Sequence, residues 1–356
     1  MGTLQRNLIP LLEECWERPL TDKEQQLVNI LELLQIEKFA GRPSRRFGRK
    51  PRQRQALARA FVGKAVYNHP HTRATIEALK ASPVFRRICG FVGLVEVPSE
   101  STFSRAFAEF AEIGLADRVH EALVAQWVTP ELVGHISRDA TAIEGREKPA
   151  AKPKPPKPAP RKKGRPRREE VREPKPETRL ERQGRQSAPE ALAELPVYCD
   201  VGTKKNSKGY KETWIGFKLH ADVNDCCLPI SLALTAASLH DSQVAIPLLK
   251  LSSERVDYLY EVMDAAYDAK PIYEVSRSLG HVPIIDKNGR GREVIPLAPH
   301  EAARYRERTV AERFNGRLKE EFGGDNVMVR GAKKVGLHLM FGVIALFADQ
   351  LLKLIS

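Results

Sequence analysis

Apolar positions in the first third of the chain recur with the 3.6-residue period of a helix. Leu27, Ile30, Leu31 and Leu34 form one such stripe, and Ile76, Leu79 and Val84 belong to another. Residues 4–128 therefore read as helices, punctuated by Pro43, Pro51, Pro70, Pro83 and Pro98. The stretch 98–110 opens with capping residues and continues as an amphipathic helix. With a helical segment at 84–91 before it, it fits either the second helix of a helix-turn-helix or a plain bundle element. Past Pro130 the period drops to two. Residues 132–139 form a strand that ends on Asp139, residues 213–223 alternate, and 228–235 follow at hairpin distance with Asn224 and Asp225 in the turn. A further strand at 256–264 ends on Asp264, a helix spans 269–279, and 281–286 is another strand. A long charged helix then carries Glu312. The last tract, 335–355, is apolar but is interrupted by His338, Asp349, Gln350 and Lys353, which suits a buried or oligomer-forming helix better than a membrane span. The order predicts an α/β fold with a mixed sheet flanked by helices. An all-α domain at 1–129 precedes a second domain at 130–356.

One segment fits neither pattern. Residues 148–190 are rich in proline, lysine and arginine, too polar to build a core, and are expected to be a disordered insertion. The tract also changes the meaning of the net charge of +13. Between 151 and 186 there are fourteen Lys and Arg against five Glu, so about +4 is left for the rest of the chain. A basic face elsewhere must come from local clustering. Residues 42–52 are one such cluster, a basic loop or arm. Cys15, Cys89, Cys199, Cys226 and Cys227 are odd in number and contain no Cys-x-x-Cys spacing, which fits a reducing cytoplasm and argues against a disulfide framework or a zinc site. The first residues show no secretory signal.

The chemistry lies in three acids. Two, Asp139 and Asp264, end strands, and the third, Glu312, sits on the following helix, an order that brings them to one edge of a sheet. Carboxylates gathered there raise each other's pKa unless a cation compensates, and Mg²⁺ or Mn²⁺ bound through oxygen does so. On a helix of about 100° per residue, Tyr305, Arg308, Glu312 and Lys319 share a side, so the cations can hold phosphates while the acid turns to a metal. Each acid also has a plainer reading. Strand-end aspartates often cap turns, and a charged helix often carries only i,i+4 ion pairs. Asp268 precedes the 269–279 helix and is expected to cap it, and His240 and Asp241 to cap a helix starting near Ser242. Trp214 and Phe217 read as core.

The spacing Tyr305-x₂-Arg308-x₃-Glu312-x₆-Lys319 resembles the Y-R-E-K motif of bacterial insertion-sequence transposases of the DDE class. Asp264-Ala-Ala-Tyr-Asp268 resembles that family's D-x-G-Y-D element with Ala266 in place of glycine, and Asp139-Ala-Thr its first acid. The resemblance implies an RNase H-like, retroviral-integrase-like catalytic domain at 130–356 and a DNA-binding role for the helical domain. It implies that Asp139, Asp264 and Glu312 are catalytic and hold two Mg²⁺ or Mn²⁺ ions, and that Tyr305, Arg308 and Lys319 contact DNA phosphates. Its partners would be the double-stranded inverted-repeat ends and target DNA, engaged by a homodimer in a synaptic complex, with no membrane. A catalytically inactive DNA-binding descendant and an RNase H-like nuclease are the alternatives. Within the basic tract, Lys162-Lys-Gly-Arg-Pro-Arg-Arg168 resembles an AT-hook, which would add Lys163, Arg165 and Arg167 to the DNA contacts; a nonspecific electrostatic tether is the simpler reading.

Overall fold

The computed structural model describes residues 19–41, 53–151, 177–205, 209–289 and 296–355. Among the described residues six helices come first: α1 (Asp22–Leu34), α2 (Arg54–Val66), α3 (Thr72–Ala81), α4 (Pro83–Ile88), α5 (Glu100–Glu112) and α6 (Leu115–Trp127). Local chemistry sets their starts. Thr21 accepts the Glu24 amide while Glu24 reaches back to the Thr21 amide, a capping box that closes the first turn of α1. The helix-turn-helix reading does not survive. The six-residue α4 is joined to α5 by residues 89–99, which include a 3₁₀ turn at Leu94–Glu96, far longer than the three or four residues that motif needs.

The remaining elements are β1 (Val133–Glu144), α7 (Arg179–Arg185), α8 (Ala188–Ala193), β2 (Asp200–Lys205), β3 (Lys211–Asn224), β4 (Pro229–Ala236), α9 (Ser242–Arg255), β5 (Tyr258–Met263), α10 (Lys270–Ser278), β6 (Val282–Ile285), α11 (Pro299–Tyr305), α12 (Thr309–Glu320) and α13 (Ala332–Ile355). The central β1 runs antiparallel to β3 and parallel to β5, and β5 runs parallel to β6. On its other side β3 pairs with β4 along its C-terminal half and with β2 along its N-terminal half. Three antiparallel strands followed by two parallel ones, flanked by helices, make the RNase H-like mixed sheet that was expected. The β2 strand was not expected. It forms a ribbon with β3 in which the Trp214 ring lies against Gly202, where a Cβ would meet the ring at 2.3 Å. The other expected core residue, Phe217, is buried.

The expectation of disorder through residue 190 fails for its described part. Thr178 and Ser187 close capping boxes on α7 and α8, and Lys250 of α9 donates to the carbonyls of Gln183 and Gly184 at 2.9 Å. These local caps were hidden by the polar composition around them. Residues 42–52 and the AT-hook-like residues Lys163, Arg165 and Arg167 lie outside the described residues.

The helical region and the sheet share one core because α13 runs between them. It packs against α1, α2, α5 and α6 on one side and against α12 and β4 on the other. Phe341 stacks on Phe61, whose ring also meets Phe103, Phe107 and Phe110 edge-on. The polar interruptions of this helix have partners. His338 lies 2.9 Å from the Gly323 carbonyl, and buried Asp349 accepts from Gln26 of α1 and Arg317 of α12 at 2.6 Å. The helix is long and apolar enough to cross a membrane, yet 78% of its most apolar window is buried in the protein.

Three buried histidines give this core a pH dependence. Burial pulls His120 and His220 down to about 4 and His338 to about 3. The unfolded chain therefore binds more protons than the fold below the ordinary value of 6.5, and stability present at neutral pH is lost on acidification. The loss is roughly 2 kcal/mol per histidine by about pH 5. The raised carboxyls of Asp139 and Asp264, treated below, oppose this in part. Urea unfolding should show the midpoint falling between neutral and mildly acidic pH, and His338→Gln should flatten the fall. A flat wild-type profile would contradict three neutral buried rings.

Candidate active site at the end of the parallel strand pair

Asp139 lies in the middle of β1, not at its end as expected, because Ala140 to Glu144 continue the strand against β3. Its pairing with β5 stops earlier, at Ser137 opposite Val262. Asp139 therefore emerges where the parallel pair ends, and Asp264 follows directly after β5. Alternation along β1 sends neighbours to opposite faces. Ser137 and Asp139 face α12: the Ser137 hydroxyl donates to the Glu307 carbonyl at 3.5 Å, and Asn315 Nδ2 of α12 donates to Asp139 Oδ2 at 3.1 Å.

The opposite face holds Arg138, which is only 1% exposed. Its Nε and Nη2 donate to both oxygens of Asp222 on β3 at 2.7 Å, and Nη2 reaches Glu261 of β5 at 3.3 Å. Nη1 meets the sulfur of Met263 at 3.2 Å. Ser252 of α9 donates to Asp222 at 2.6 Å, and the Tyr258 hydroxyl to Glu261 at 3.0 Å. Burial alone would lower the guanidinium's pKa, but the two carboxylates outweigh it and hold the value above the ordinary one. The residue before each strand acid, Arg138 before Asp139 and Met263 before Asp264, thus touches the other beneath the site.

Burial, with Asp264 and Glu312 adding like charge, pushes the Asp139 carboxyl up to about 6 against the opposing pull of the Ala140 amide and Arg308. Asp264 is also raised, first by burial and then by Asp241, while the Ala266 amide, Arg308 and His240 oppose. The Asp264 carboxylate accepts that amide at 2.9 Å as the cap of the 3₁₀ turn Ala265–Tyr267. Ala266 keeps an ordinary negative φ, so the turn does not require the glycine it replaces. Asp268 does not cap α10, whose N-cap is Ala269; it accepts from the Tyr273 hydroxyl at 3.2 Å and the Asn288 amide at 3.1 Å. Of the expected pair of caps for α9, His240 Nδ1 accepts the Ser242 amide at 3.4 Å. Asp241 holds the N-cap position, but its side chain bonds Lys218 instead, at 2.8 Å.

The charged helix is broken, with α11 and α12 separated by a 3₁₀ turn at Arg306–Arg308. Tyr305 and Arg308 thus precede α12, which carries Glu312 and Lys319, and the tighter winding of the turn shifts them from the common face of one regular helix. The Arg308 guanidinium sits 5.8 Å from the centre of the Tyr305 ring and donates to Glu312 at 2.5 Å, the i,i+4 pair of the plainer reading. Glu312 is half exposed, and Lys319 lies 3.8 Å from Asp325.

Among the described residues no three His, Cys, Asp or Glu side chains stand close enough to hold a metal as they are. The donors nonetheless suit a hard, hydrated cation. All are carboxylate oxygens, Asp139 is raised by both of the other acids, and two buried polar atoms nearby, the Tyr267 hydroxyl and Asn315 Oδ1, have no partner among the described residues. Metal-bound water could supply partners for such atoms. Asn315 and Arg138 were missed in the sequence, and Asp241 was read there as a helix cap. Only Asn315 carried a signal, lying three residues after Glu312 on one helix face.

A family model described as "Transposase DDE domain" matches residues 139–348, and one described as "Transposase domain" matches residues 15–109. The first match begins on Asp139 and spans Asp264 and Glu312. No curated protein and no solved structure matches the chain.

Replacing Arg138 by methionine would leave Asp222 and Glu261 buried without their counter-charge. The expected cost is about 3–5 kcal/mol in denaturant unfolding. A loss below roughly 1 kcal/mol, the range of an exposed pair, would show that the network is not holding the strands.

Proposed function

The chain belongs to the transposase DDE-domain family and is a transposase, and we propose that it cuts DNA at insertion-sequence ends and joins them to target DNA with Asp139, Asp264 and Glu312 as the catalytic acids. The observation that carries the assignment is the electrostatic setting of Asp139, a carboxyl buried beside Asp264 and Glu312 with Arg308 as the cation opposing them. A fold that only bound DNA would gain nothing from such repulsion.

The three acids would hold Mg²⁺ or Mn²⁺, two ions in the reading favoured here. Bound there, such ions activate an attacking water or 3′-hydroxyl and stabilise the leaving oxygen. The protein's part is positioning. β1 and β5 present two acids from rigid strands, Asn315 orients Asp139, and α12 would supply Glu312 as the third. Arg308 occupies Glu312 in this structure. When the carboxylate turns toward a cation, the Arg308 fork is released beside Tyr305 for a phosphate, and Lys319 offers a second charge further along α12. Joining two ends would be the work of a dimer.

Asp264→Asn should abolish Mg²⁺- or Mn²⁺-dependent cleavage of end-sequence DNA while leaving DNA binding largely intact. The same variant removes one like charge from a crowded site, so the metal-free protein should be no less stable than wild type. Added Mn²⁺ should raise the unfolding midpoint of wild type, by about 2.7 kcal/mol at a hundredfold excess over Kd, and leave the variant unmoved. Full cleavage by the variant, or an equal Mn²⁺ shift in both proteins, would sink the assignment.

A further inference from the structure

Where β1 runs out, Arg146 enters a cleft of about 430 Å³ between α5 and the 328–334 segment leading into α13. Phe61, Phe103 and Phe107 line it from within, Arg146, Arg330 and Lys334 supply its positive charge, and Glu100 adds one carboxylate. Two of the cations are braced. Arg330 Nε donates to the Arg146 carbonyl at 3.1 Å, and Arg146 Nη1 lies 3.3 Å from the Met328 sulfur. Each guanidinium spends one N–H on that anchor and keeps the rest of its fork. None of the three forms an ion pair among the described residues. The acids nearby are already engaged: Glu100 with Arg73 at 3.3 Å, Glu109 with Arg54 and Glu112 with Lys333 at 2.6 Å, and Glu147 with the Gly331 amide at 3.2 Å.

We propose that this cleft is a second contact for duplex DNA, gripping the sugar–phosphate backbone at a distance from the acids; the inference rests on the DNA substrate of the proposed function. Anchored guanidiniums with free N–H groups match phosphate oxygens. The aromatic residues are too deeply buried to stack on bases, Phe103 being 0% and Phe61 3% exposed, so the contact reads backbone and not sequence. Distance also fits. Arg146 lies seven residues past Asp139, at most roughly 23 Å of extended chain, against about 34 Å for one duplex turn. A duplex crossing the acids therefore reaches the cleft within one turn.

The test is the salt dependence of binding by the full chain to a fluorescein-labelled duplex. Replacing Arg146, Arg330 and Lys334 by glutamine should make the slope of log K against log salt shallower by roughly 2.7, and Arg330→Gln alone by roughly 0.9. Removing two cations elsewhere, Lys270→Gln with Arg277→Gln, should leave it unchanged. Circular dichroism checks that the triple variant folds; if it does not, the three single variants take its place. An unchanged slope in the cleft variants, or an equal fall in the control, overturns the proposal while wild-type binding keeps the DNA reading intact. Failure of wild type to bind any duplex would instead bring down the proposed function itself, and this inference with it.

Discussion

The guanidinium of Arg138 holds β1, β3 and β5 in one register, and the site depends on that register. It bonds Asp222 through two N–H groups and reaches Glu261 and Met263 from the same position. Taking these charges out of water is expensive, and an apolar cluster of the same volume would stabilise as well or better. What such a cluster lacks is direction. Slipping β1 by one residue would turn Arg138 toward α12 and Asp139 into the layer beneath α9, away from Asp264. The buried ions thus serve alignment: they fix which face of β1 carries the acid and where it stands relative to the end of β5.

The acids themselves sit on the unfavourable side of the balance. Asp139 and Asp264 are raised by burial and by other carboxylates, and the compensation in view is limited to Arg308, His240, backbone amides and the Asn315 amide. This is a local cost that the surrounding fold absorbs. It does so through α13, whose buried face joins the helical region to the sheet, with Asp349 tying α1, α12 and α13 together. A site built on rigid strands and backed by one continuous core can tolerate repelling charges that a loop could not.

Much of this was legible in the chain. The change from a 3.6 to a 2 period after Pro130 marks the passage from helices to sheet, because an element's repeat dictates which residues face the core. The three acids stood out through their order along strands and helix and their spacing from Tyr305 to Lys319. Less legible were elements whose stability is local but whose composition is polar, such as α7 and α8, where capping boxes set inside a basic tract gave no apolar stripe. The length of β1 was also misjudged, since Asp139 looked like a strand end whereas its neighbours Thr141 and Ile143 pair onward with β3.

Sequence by itself determined most of the elements and their order, which follow from periodicity within short windows, and it singled out the three acids as candidates. Only the tertiary structure decided how those acids are set. Arg138 and Asp222 are 84 positions apart in the chain, and no local pattern says that they meet. The 3₁₀ turn at Arg306–Arg308, the capture of Glu312 by Arg308 and the approach of Asn315 to Asp139 depend on how α12 lies across β1. So does the convergence of Arg146 with Arg330, 184 residues away, on one cleft. Long-range packing places them, and a charge on a helix becomes part of a site only when another element brings its partner within reach.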